Sequence, residues 1–103
     1  MTNRFFLIEP KTKKNFSPVF LTKKPDLAFM QTLVGGPIEI IPGFRQWQGG
    51  LCIALCNEEG KIKNLPFNET ATEAWKFTYE TSDYLVGNVL IFQGDTKFLK
   101  TLV

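Results

Sequence analysis

Apolar residues Leu27, Met30, Leu33 and Val34 recur at the spacing of one helical face, and the run ends abruptly at Gly35-Gly36-Pro37. Lys24-Pro25-Asp26 precedes it, with proline tolerated in a first turn and an acid at the positive end of the helix dipole. The pattern predicts a helix of about ten residues, capped by a glycine in the left-handed conformation and unable to continue through Pro37. Ile38 to Ile41 then reads as a strand closed by Pro42-Gly43.

The same reading extends to the rest of the chain. Arg4 to Glu9 is a short apolar strand stopped by Pro10, and Phe16 to Leu21 returns beside it as an edge strand demoted by Pro18. Leu51 to Cys56 is apolar on both faces and reads as a central strand, with small Cys52, Ala54 and Cys56 together on one side. Asn57 to Lys61 has turn composition. Thr70 and Glu73 match a capping box and predict a second helix of about ten residues, with Ala71, Ala74, Trp75 and Thr78 on one face. Tyr84 to Gln93 is the longest strand-like run and belongs beside Leu51 to Cys56; Gly87 within it marks a bulge or the close passage of a helix. Thr96 to Val103 reads as a short edge strand. Together these predict a single α+β domain over residues 1–103: a mostly antiparallel sheet of four to six strands with two helices packed on one face.

Composition adds little to that picture, but charge does. Residues 1 to 24 carry six basic side chains against one acid, and the remainder carries six against nine. Lys11, Lys13, Lys14, Lys23 and Lys24 fall at the tip of the first hairpin and just past it. Such lysines protect sheet edges from unwanted pairing, and they are also what a nucleic-acid site would use. No apolar run reaches the roughly 18 residues of a membrane span, and the start lacks a signal-peptide pattern, so the expected location is cytoplasmic. Cys52 and Cys56, four apart in a strand, would hold their Cα atoms about 13 Å apart, too far for a disulfide, and read as small core residues.

The chain contains no histidine, which removes the commonest general base and metal ligand and the usual partner of a serine or cysteine nucleophile. Two cysteines without histidine do not make a zinc site, and no calcium-loop pattern is present, so neither metal nor cofactor is expected. Glu58-Glu59 and the pair Glu69 and Glu73 are explained by a turn and a helix cap. Gly35-Gly36 and Gly49-Gly50 lack phosphate-loop spacing. The segment Phe44, Arg45, Gln46, Trp47, Gln48 is the sharpest candidate contact surface, because aromatics and arginine dominate binding hot spots. The alternative is that Phe44 and Trp47 turn into the core.

The stretch LVGGPIEIIP, the turn NEEGK, the segment LPFNETAT and a late VGNVLIF resemble domain-of-unknown-function family 3846, short proteins found largely in bacteriophages and mobile elements. The resemblance runs from about Leu27 to Phe92, leaving out the loop from Phe44 to Gly50 and the tail after Gln93. It falls on Val34, Gly35, Gly36 and Glu39, then Asn57 to Gly60, then Leu65, Pro66, Asn68, Ala71 and Thr72, and last Gly87. It implies a phage or mobile-element origin and no particular activity.

The leading expectation is a non-catalytic protein that acts by contact with a host protein, inhibition of a defence system being one form of this, as a monomer or homodimer. The first alternative is a small-ligand or nucleotide site in which Glu39, Asn57, Asn68 and Thr72 converge. The second is nucleic-acid binding through the five lysines of the basic hairpin.

Overall fold

The computed structural model describes residues 2–12 and 16–102. Among them are six strands and three helices, in the order β1 (Arg4–Ile8), β2 (Val19–Phe20), α1 (Leu27–Val34), β3 (Ile38–Ile40), β4 (Gln46–Trp47), β5 (Gly50–Asn57), α2 (Glu69–Thr78), β6 (Val89–Gln93) and α3 (Thr96–Lys100). The sheet runs β2-β1-β6-β5-β3, with β4 pairing the first residues of β5, and every pairing is antiparallel. The α+β class and the central pair, β5 beside β6, are as the sequence predicts.

Alternation along the strands sorts the core into two layers. Phe6, Ile8, Ala54, Cys56, Val89 and Ile91 point to one face, where they meet Ala71 and Trp75 of α2. Phe5, Leu55, Leu90 and Phe92 point to the other, where Met30 and Val34 of α1 and Phe98 and Leu99 of α3 cover them. The expectation of two helices on one face is therefore corrected: β1, β5 and β6 are apolar on both sides, and each side needs its own cover.

Local chemistry explains where the elements stop. Asp26 caps α1 by accepting from the Phe29 amide at 2.8 Å, and Gly35 ends the helix at φ 81 with its amide donating to the Gln31 carbonyl. The cap of α2 is Asn68, two residues before the expected Thr70, whose hydroxyl instead donates to the Thr12 carbonyl at 3.0 Å. The expected edge strand after Thr96 is helical. Asp95 accepts from the Phe98 amide at 2.8 Å, Lys97 and Lys100 lie at the negative end, and Phe98 and Leu99 reach the core. The run from Tyr84 is only half strand. Val86 makes a single bridge to Phe67, Gly87 takes φ 71 with Leu65 packed where a Cβ would stand, and the ladder resumes at Val89.

The segment read as a loop, Phe44 to Gly50, contains β4 and a two-residue hairpin turn at Gln48-Gly49. Both turn residues have positive φ, 49 and 79, the type I′ pattern that matches the twist of paired strands. Buried Gln93 ties this hairpin to the sheet: its amide donates to the carbonyls of Trp47 and Gly50, and its oxygen accepts from Arg4 Nε at 3.1 Å.

Glutamine pays for the left-handed conformation at position 48, whereas asparagine adopts it with little cost. Gln48→Asn should therefore stabilise the fold by roughly 0.5–1 kcal/mol, a rise of a few degrees in thermal midpoint, while Gln48→Val should lower it. A thermal melt of the two variants checks the order.

Candidate functional site

The two aromatics of the expected contact segment are withdrawn from the surface. Phe44 and Trp47 are only 3% and 6% exposed and belong to the α2-side core. Trp47 packs against Phe6 and edge-on against Phe16, at ring separations of 5.9 and 5.2 Å. Alternation explains the burial: Trp47 lies opposite Gly50, whose lack of a side chain leaves room for Gln93, and points to the face of Cys52. Arg45, Gln46 and Gln48 remain exposed.

What the hairpin does build is a groove against α2, of about 370 Å³, lined by Gln46, Trp47, Gln48, Gly49, Thr70, Glu73, Ala74 and Phe77. Phe77 is 85% exposed, an unusual position for a phenylalanine in a helix whose other face is well packed. Ala71, Ala74 and Trp75 form the stripe that packs against the sheet, and Phe77 lies off it. A phenylalanine two residues after Trp75, off that stripe, was the available signal.

The candidate ligand residues divide into two pairs. Glu39 and Asn57 line one cavity of about 310 Å³, together with Cys56, Lys61, Trp75, Asp83 and Tyr84. Asn68 and Thr72 line neither this cavity nor the α2 groove. Asn68 is fully buried and spends its side chain on Ile8, Gly87 and Ala71, while the Thr72 hydroxyl accepts from the Leu85 amide at 2.9 Å. Even Asn57 is largely committed, donating to the Val34 carbonyl at 3.3 Å and accepting from the Glu59 amide at 2.8 Å. The four-residue site is thus corrected to Glu39 with part of Asn57.

Around Glu39 the electrostatics favour a closed thiol and a fixed ion pair. Cys56 Sγ donates to Glu39 Oε1 at 3.6 Å. Burial, reinforced by the Glu39 carboxylate, pushes the Cys56 thiol up to about 12. Burial alone does the same to Cys52. Neither sulfur offers a thiolate near neutral pH, so neither serves as a nucleophile there. The Lys61 ammonium bonds Asp83, holding that carboxyl below its usual range with help from the Tyr84 amide. The same ammonium stands 4.4 Å from the Tyr84 ring centre. Among the described residues no cluster of acids and cysteines has the makings of a metal site.

Of the basic hairpin, Lys13 and Lys14 lie outside the described residues. Lys11, Lys23 and Lys24 are exposed, and Lys24 Nζ donates to the Thr101 carbonyl at 2.6 Å.

The family model for a domain of unknown function (DUF3846) matches residues 1–101. The chain belongs to that family. No curated protein and no solved structure matches it. The DUF3846 match reaches beyond the stretch from Leu27 to Phe92 and takes in the β4–β5 hairpin and α3, which the sequence resemblance left out. No helix among the described residues is long and apolar enough to cross a membrane.

The thiols give stability a dependence on pH whose direction is fixed. Above about pH 9 an unfolded chain releases its thiol protons, while the folded chain holds them towards 12, so rising pH increasingly favours unfolding. Between pH 9 and about pH 11 the melting temperature should fall more steeply for the natural chain than for the Cys52→Ala, Cys56→Ala double variant. Parallel profiles in a pH series of melts would contradict the assignment.

Proposed function

We propose that this DUF3846 protein is a non-catalytic binding protein of phage or mobile-element type that acts by contact with a host protein through the surface formed by α2 and the β4–β5 hairpin. The observation that carries this is Phe77, almost wholly exposed beside a groove whose far wall is the hairpin. An exposed aromatic next to a concave, mostly apolar surface is the usual make-up of a binding hot spot, with polar groups around it. Gln46, Gln48 and Glu73 supply such a rim. The hairpin is held rigidly by Gln93, so little ordering entropy opposes binding there.

The surface differs from the one the sequence suggested in its anchor, since Phe77 takes the place of Trp47. Removing Trp47 takes a large ring out of the core and does not isolate binding. Phe77→Ser removes only exposed area. In affinity capture from host lysate, Phe77→Ser should abolish recovery of the partner seen with the natural chain, with its melting temperature unchanged. Undiminished recovery by a folded Phe77→Ser protein would show that contact is made elsewhere.

The Glu39 cavity supports a second reading, a small-ligand site. What favours it is that Glu39 and Asn57 do share one concave space with the Lys61–Asp83 pair and an exposed tyrosine, at the lower end of the size range of ligand pockets.

A further inference from the structure

At the opposite edge of the sheet, β2 is open. Val19 and Phe20 are 49% and 63% exposed, and among the described residues β2 pairs only with β1. The register shows what this edge presents. The Leu21 amide donates inward to the Asn3 carbonyl at 2.8 Å, so Phe20, one residue earlier, directs its own amide and carbonyl outward. Natural proteins rarely leave a paired donor and acceptor exposed beside a large apolar side chain, because that combination recruits another strand. Pro18 keeps the open ladder short, which suits a short segment and discourages sheet-to-sheet aggregation.

Beside the edge runs a groove of about 430 Å³, lined by Phe20, Leu21, Lys23, Lys24 and Phe29. Phe29 is itself 44% exposed and stands edge-on to Phe5 beneath it. Arg4, opposite Phe20 in the β1–β2 register, is engaged elsewhere, by Gln93 and the Phe6 ring. The one carboxylate among the described residues that line the groove, Asp26, is engaged as the cap of α1. Lys23 and Lys24 therefore flank an apolar trough next to free backbone groups.

We propose that the open edge of β2 and this groove take an extended acidic segment of a partner protein by strand addition. The partner's backbone pairs with Phe20, its alternate apolar side chains lie against Phe20 and Phe29, and its carboxylates meet Lys23 and Lys24. The charge pattern sets the partner's sign and quickens encounter. A polynucleotide matches the lysines but offers no strand backbone for the outward amide and carbonyl. This surface lies on β2, at one end of the strand order, whereas the α2–hairpin contact lies beside β5.

The probes are a capped heptapeptide alternating glutamate and valine, the same peptide N-methylated at alternate residues, a lysine–valine counterpart, and a short single-stranded thymidine oligonucleotide. Titrated against the full chain, the glutamate–valine peptide should bind saturably and the other three at least about tenfold more weakly. Phe20→Ser and the Lys23→Glu, Lys24→Glu pair should each weaken it by a similar factor, with melting temperatures unchanged. Equal binding of the N-methylated peptide would overturn strand addition. Preference for the oligonucleotide or the lysine peptide would overturn the acidic partner. No peptide binding, with self-association that Phe20→Ser abolishes, would overturn the proposal and give the edge to a second copy of the chain.

Discussion

One buried amide joins the parts of this fold. Asn68 has no exposed surface, and each of its polar atoms is used: Nδ2 donates to the carbonyls of Ile8 and Gly87 at 2.9 and 2.8 Å, and Oδ1 accepts from the Ala71 amide at 3.0 Å. Its backbone amide donates to Leu85. β1, the irregular segment before β6, and the start of α2 therefore meet at a single residue. Two of those carbonyls lie where water does not reach in numbers, and an unpaired buried carbonyl costs about 1–3 kcal/mol. An amide side chain, with two donors and one acceptor arranged in this way, satisfies the site; a purely donating or purely accepting group does not.

The neighbouring family motifs serve the same scaffold. The Thr72 hydroxyl closes on Leu85, so the segment from Leu85 to Gly87 is held from both sides. Gly87 leaves space for Leu65, and Gly60 leaves space for Val86. On the other face Asn57 binds the end of α1 at Val34, and Gly36 lets that helix end approach the Asn57 amide closely. The residues most recognisable in the chain are thus those that close turns and helix ends. Exposed groups with binding character, Phe77 at one side of the sheet and Phe20 with the lysines at the other, stand outside those motifs.

Much of the fold was legible because period and punctuation agree. α1 carries its apolar spacing together with Asp26, Gly35 and Pro37, and β5 is apolar at both parities, which places it centrally. The errors share a cause: short elements whose identity is set by tertiary contacts. Phe98, Leu99 and Leu102 fit either a strand or a helix, and the Asp95 cap with the core beneath decides for the helix. Gln48-Gly49 lacks the asparagine that announces a type I′ turn, so nothing in the sequence marks β4. For Trp47 the sequence left contact surface and core both open, because a two-residue strand gives too little alternation to assign its face. The helices fall on both faces, since the sequence marks each amphipathic face without saying which side of the sheet it covers.

The central claim is that Asn68 is needed as an amide and not merely as a helix cap. Urea unfolding of Asn68→Asp at neutral pH tests it most directly, because aspartate caps a helix as well as asparagine does but presents a carboxylate to the two buried carbonyls. The account predicts a loss of about 3 kcal/mol or more, no smaller than that of Asn68→Ala. Retention of stability to within about 1 kcal/mol, as expected of a simple exchange of caps, would contradict it.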